Sequence, residues 1–225
     1  MKIGNIIRLL DKAYGKPARS KRSDPVDELV RTILSQNTTD RNSLKAFASL
    51  KERFRSWGTL LKTPVGRIER IIKHAGLANI KSKRIKETLY EINRRQGGVT
   101  LAHLADLSVD DAAEYLKSLK GVGPKTAACV LLFSFGMASM PVDTHIFRVA
   151  KRLGLIGASI NIGEAHDVLS DVVPKDLIYS FHLGIIEHGR RTCKARSPRC
   201  GSCVLYGLCA FKDKRFYAKK GAELT

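Results

Sequence analysis

Apolar residues recur at intervals of three and four along nearly the whole chain, as in Ile6, Ile7, Leu9 and Leu10, and again in Leu29, Val30, Ile33 and Leu34. That period lines one face of an α-helix, and no stretch shows the two-residue alternation of a half-buried strand. Several apolar segments are preceded by residues that close helix N-termini. Ser23-Asp24-Pro25 stands before 26–34, Ser108 before 110–119, and Asp143-Thr144 before 145–153. Short connections are expected at Gly58, Thr63-Pro64, Gly97-Gly98 and Gly136, and no repeat of solenoid length appears. The pattern predicts an all-α protein.

The 190–220 segment breaks the pattern. It is rich in Lys, Arg and Cys, has little periodicity, and contains Asp213 as its only acid. A segment without an apolar face needs another staple. Cys193, Cys200, Cys203 and Cys209 are separated by six, two and five residues, which brings four potential thiolate ligands into one short loop. Such soft ligands suit zinc or an iron-sulfur cluster, and spacing alone leaves both open. The fifth cysteine, Cys129, lies on the apolar run 129–135 and reads as an inert core residue.

Charge changes the picture further. The 225 residues include 40 Lys and Arg against 21 Asp and Glu, a formal charge of +19, while 44% are hydrophobic, ample for a core. An excess of this size suits an extended polyanion, nucleic acid above all, better than a small acidic substrate. No apolar run is long enough to cross a bilayer, and no charged-then-apolar leader follows Met1. A monomer without membrane association is expected, intracellular, and cytoplasmic or nucleoid-associated in a prokaryote.

The segment Leu119-Lys120-Gly121-Val122-Gly123-Pro124-Lys125-Thr126-Ala127 ends one predicted helix and opens the next. Its paired glycines allow a sharp turn with free backbone N–H groups, and Pro124 fits a first helical turn, so a phosphate can dock there. An ordinary helix-turn-helix connection has the same appearance. Likewise, Asp143 reads as a plain N-cap and Lys125 as a surface lysine.

Taken together, the hairpin, Pro141-Val142-Asp143-Thr144-His145-Ile146-Phe147-Arg148-Val149, the N-terminal Leu34-Ser35-Gln36-Asn37-Thr38-Thr39-Asp40 and the cysteine loop resemble the endonuclease III family of DNA glycosylases. The resemblance spans roughly residues 20 to 210 and preserves the family's motif order. It implies the helix-hairpin-helix glycosylase fold: a helical barrel domain at 23–136 with the hairpin at about 108–130, and a second helical domain of 1–22 plus 137–225, with a cleft between. It also selects a [4Fe-4S] cluster held by Cys193, Cys200, Cys203 and Cys209 in the loop 193–209.

Position by position, the resemblance makes Lys125 the catalytic lysine and Asp143 the catalytic aspartate of a bifunctional base-excision enzyme. A neutral amine can attack C1′, displace the base and form a Schiff base, after which β-elimination cleaves the strand on the 3′ side. Partial desolvation and neighbouring cations favour the neutral amine. The carboxylate stabilises positive charge on the sugar. The implied substrate is double-stranded DNA with a damaged base, an oxidised pyrimidine, or an abasic site.

Because a stacked base is out of reach, the nucleotide must be swung out and its gap filled. By resemblance, Asn37 lies where many relatives carry an inserting glutamine, with Gln36 as a substitute, and Leu77 lies where an apolar side chain wedges the opposite strand. DNA contacts are also expected from Lys120, Gly121, Val122, Gly123, Thr126 and His145, and from Lys194, Arg196 and Arg199 beside the cluster. Lys120 replaces the family's common proline, and Pro124 a frequent arginine. Two alternatives share these features: a monofunctional glycosylase for mismatched or alkylated bases, and a DNA-binding module without catalysis. Neither accounts as well for Lys125 with Asp143.

Overall fold

A computed structural model describes residues 2–18 and 21–222, and the regular elements among them are all helices, with no strand. The first half comprises α1 (Lys2–Tyr14), α2 (Pro25–Ser35), α3 (Asp40–Arg53), α4 (Trp57–Leu61), α5 (Val65–Ile71) and α6 (Ala78–Gln96). Then follow α7 (Val109–Lys117), α8 (Pro124–Val130), α9 (Thr144–Leu153), α10 (Ala165–Val172), α11 (Ile178–Arg191) and α12 (Lys214–Ala222). Contacts divide the chain into two compact units, Arg22–Met137 and Met1–Lys21 with Ala138–Thr225. Of the second expected domain, residues 1, 19, 20 and 223–225 lie outside the described residues.

The unit Arg22–Met137 starts where the sequence supplies a cap. Asp24 Oδ1 accepts from the N–H groups of Val26 and Asp27 at 3.0 and 2.9 Å, and Pro25 occupies the first turn, where its missing N–H is no loss. Thr39 and Ser108 cap α3 and α7 in the same way. Gly58 is no connection. Ser56 Oγ accepts from Thr59 N at 3.3 Å, which starts the one-turn helix α4 and carries Gly58 inside it. The apolar stripe of α2 (Leu29, Val30, Ile33, Leu34) packs in one core with Ile85, Leu89 and Ile92 of α6, Val130 at the end of α8 and Leu131 after it. After α8 the backbone widens into a π-helical turn, Leu131–Phe135, and stops at Gly136, whose φ of +70° ends the helix.

In the other unit α1 presents Ile3, Ile6, Ile7 and Leu10, and α9 presents Ile146, Val149, Ala150 and Leu153, each at helical spacing. Both pack on α11. Gly184 of α11 permits the approach of α1, because a Cβ there would stand 3.1 Å from Leu10 Cδ1. Arg152 and Arg148 project from α9 toward the cysteine loop.

Ile33→Ala removes a side chain with no solvent exposure and is expected to lower unfolding stability by about 2–5 kcal/mol. In the same denaturant titration, Leu44→Ala, at a position 56% exposed, should change it by less than ~0.5 kcal/mol.

Candidate functional site

The cysteine loop has little regular structure beyond two short 3-10 turns, Cys200–Ser202 and Tyr206–Leu208. Its path is fixed at both ends. Cys193 N donates to His188 O at 2.8 Å, where α11 runs out, and Ala210 N donates to Arg152 O at 2.8 Å. Between them Ser197 adopts a left-handed backbone, φ +49°, just before the buried Pro198. All four cysteines consequently line one pocket, open to solvent, together with Val149, Leu153, Leu205 and Phe211.

Burial, reinforced by the neighbouring sulfurs, pushes the Cys203 thiol up to about 11 and raises that of Cys200. A bound cation would hold these two as thiolates. The donor set, four cysteine thiols within one short loop, fits an iron-sulfur cluster, whose irons are held by thiolates.

Side chains without any sequence signal complete this surround. Arg152 Nη1 lies 3.3 Å from Cys193 Sγ and donates to Lys194 O at 2.8 Å, while its guanidinium stacks over Phe211. His188 Nε2 lies 3.7 Å from Cys203 Sγ, and its Nδ1 is 2.9 Å from Tyr14 Oη. Burial lowers the His188 pKa to about 4, so the ring is neutral at physiological pH. Lys194, Arg196 and Arg199 stand on the exposed rim.

In the Arg22–Met137 unit the hairpin after α7 turns at Gly121, φ +84°. A Cβ there would meet the Arg84 side chain at 2.6 Å, so this turn takes glycine for both conformation and space. Lys120 is exposed and pairs with Glu87 at 3.1 Å. Val122 and Thr126 are buried. Gly123 gives α8 no side-chain cap, and Pro124 stands in its first turn. Lys125 sits half-buried in this first turn, and no carboxylate among the described residues pairs with its amine.

Two neighbouring loops of the same unit carry Asn37 and Leu77. Both are exposed, Leu77 by 50%, and both hold left-handed backbones with φ of +51° and +50°. A non-glycine residue in that region stores of order 1–3 kcal/mol and marks functional loops more than packing. Gln36 does not share this position. Its Oε1 accepts from Arg84 Nη1 at 2.5 Å, which fastens it to α6.

In the second unit Asp143 Oδ1 accepts from Ile146 N at 2.8 Å and caps α9. Its other carboxylate oxygen takes no part in that cap. His145 packs against Gly189 of α11, with Nδ1 3.2 Å from Arg148 Nη2.

Comparison with known proteins agrees with this geometry. A family profile described as HhH-GPD superfamily base excision DNA repair protein matches residues 30–175, and one for the iron-sulfur binding domain of endonuclease III matches 193–209. The fold and its two loops thus define a helix-hairpin-helix base-excision DNA repair protein. Endonuclease III of Thermotoga maritima is 34% identical over 199 residues, 88% of this chain and 89% of its own. A longer Arabidopsis thaliana relative is 38% identical over 165 residues, and the match spans 56% of its length. The structure of a trapped endonuclease III–DNA covalent intermediate superposes with a TM-score of 0.79 at 29% identity, covering 96% of this chain and 99% of that one. The chain belongs to the endonuclease III family: it is a base-excision DNA glycosylase and AP lyase with a [4Fe-4S] cluster.

Cys203→Ala is expected to yield protein lacking the broad visible absorption of iron-thiolate charge transfer and depleted in iron. Cys129→Ala, buried in α8 and not part of the cysteine loop, should keep both, as a visible spectrum and an iron assay will report.

Proposed function

We propose that Lys125 is the nucleophile and Schiff-base residue of this enzyme, and Asp143 the carboxylate that stabilises positive charge on the sugar. The observation that carries the reading is the setting of Lys125: half-buried, in the uncapped first turn of α8, beside the glycine hairpin and without an ion pair among the described residues. The amine nitrogen bonds to C1′ as the glycosidic bond breaks and the base departs with the bonding electrons and a proton. The C1′–O4′ bond then opens, O4′ taking the bonding pair and a proton, to leave an iminium, and loss of its C2′ proton expels the 3′ phosphate by β-elimination. Water releases the sugar remnant and restores the lysine.

The substrate is duplex DNA carrying an oxidised pyrimidine or an abasic site, and the protein acts inside the cell as a monomer. No helix among the described residues is long and apolar enough to cross a membrane. Phosphates meet the exposed main chain of Gly121 and Gly123, Lys120, and the rim cations Lys194, Arg196 and Arg199. Asn37 fills the place of the extruded nucleotide and Leu77 wedges the opposite strand. The four cysteines hold the cluster, which gives the basic loop its shape; the reacting atoms are handled by Lys125 and Asp143. The hairpin unit at Arg22–Met137 and the unit with the aspartate and the cluster loop are the two domains.

Borohydride added during incubation with an abasic-site duplex should trap a covalent protein–DNA adduct, and Lys125→Gln should give none. Absence of both adduct and nick with the unmodified protein would defeat the lyase assignment to this lysine. Asp143→Asn separates catalysis from capping, since asparagine caps a helix about as well. Base release should fall on the order of 10²-fold or more while the thermal midpoint stays close to that of the unmodified protein.

A further inference from the structure

Lys81 is 2% exposed, the largest of the fully buried side chains, and no acid among the described residues pairs with it. It lies in the first turn of α6, where the helix dipole disfavours a cation, and a methionine would fill the space without stripping an ammonium of water. Packing alone therefore does not account for it. Its hydrogen bonds do: Nζ donates to Leu34 O at 2.8 Å and to Ala75 O at 2.6 Å. Leu34 belongs to the last turn of α2, whose final carbonyls have no helical partner and which carries no basic residue of its own. Ala75 ends the 3-10 turn Lys73–Ala75.

Each anchored carbonyl stands two or three residues before a left-handed tip, Asn37 in one loop and Leu77 in the other. The two loops touch at the same level, since a Cβ on Gly76 would lie 3.8 Å from Asn37 O. We propose that Lys81 is a positioning residue for strand insertion: its buried ammonium ties the two loops together and sets the spacing at which Asn37 and Leu77 enter DNA. The proposal rests on the insertion roles given above for those two residues. Burial, and secondarily Arg84, lowers the pKa of Lys81, and the two carbonyl acceptors offset that cost of desolvation.

Two probes separate positioning from bulk stability: an abasic site in a fully paired duplex, where a nucleotide must be extruded, and the same site in a single strand, where none must be. Lys81→Met should slow cleavage of the duplex by about tenfold or more, as small misplacements of positioning groups do, with the single-strand rate little changed. Lys81→Gln, which can still reach one carbonyl, should fall between. In an Asn37→Ala/Leu77→Ala background, Lys81→Met should add little, because both changes act on one step. Equal losses on both probes, or no loss, would overturn the proposal. Should Lys81→Met lose its helical circular dichroism, Lys81→Gln decides by the same two ratios. If Asn37→Ala and Leu77→Ala themselves cleave duplex like the unmodified protein, the insertion reading fails instead.

Discussion

With 40 basic residues and 21 acidic ones, many cations in this chain have no carboxylate to meet, and main-chain carbonyls serve as their acceptors. Several segments are fastened by such bonds. Lys2 reaches Leu153 O, Lys86 reaches Thr63 O and Lys151 reaches Ala158 O, each at 2.7 Å. Around the cysteines the pattern is densest: Arg148 donates to Cys193 O and Gly189 O, Arg152 to Lys194 O and Ala195 O, and Lys214 to Tyr206 O and Cys209 O. A loop with almost no ladder of its own has many bare carbonyls, and a cation-rich chain has many donors seeking them. Each need is met by the other.

That arrangement also explains what the sequence makes legible. Helix starts are local chemistry, so Asp24, Ser108 and Asp143 can be read as caps from their neighbours alone, and the apolar period then gives the all-α class. The cysteine cluster is legible because its ligands fall within one short loop. Gly58 misleads because a serine two residues earlier outweighs the helix penalty of glycine over a single turn. Lys81, Arg152 and His188 leave no local trace. Lys81 meets Leu34 across 47 residues and Arg152 meets Cys193 across 41, and no spacing rule encodes a donor that finds a carbonyl at such separation. Gln36 shows the same limit: its pairing with Arg84, 48 residues away, distinguishes it from the adjacent Asn37, and only the folded chain reveals it.

Backbone strain is concentrated in three loops. Among the described residues, the non-glycine positions with positive φ are Asn37, Leu77 and Ser197, two at the tips of the loops beside α6 and one in the cysteine loop. Elsewhere among the described residues left-handed positions fall to glycine, as at Gly97, Gly136 and Gly154, where helices stop. A conformation that costs free energy persists only where surrounding bonds over-determine it. The hydrogen bonds of Lys81 and Arg84, and the fixed ends of the cysteine loop, supply that determination.

Bonds to carbonyls differ from ion pairs in one respect: they leave the charge standing. Had Lys–Glu pairs held these loops, each fastening would have cancelled a positive charge. Here Arg148, Arg152 and Lys214 secure the cysteine loop while the formal charge remains +19. The groups that hold the loop in shape are also part of the field that draws a polyanion from a distance. Ionic strength then acts on the two unequally, because mobile ions screen the long-range attraction strongly and a partly buried bond to a neutral carbonyl hardly at all.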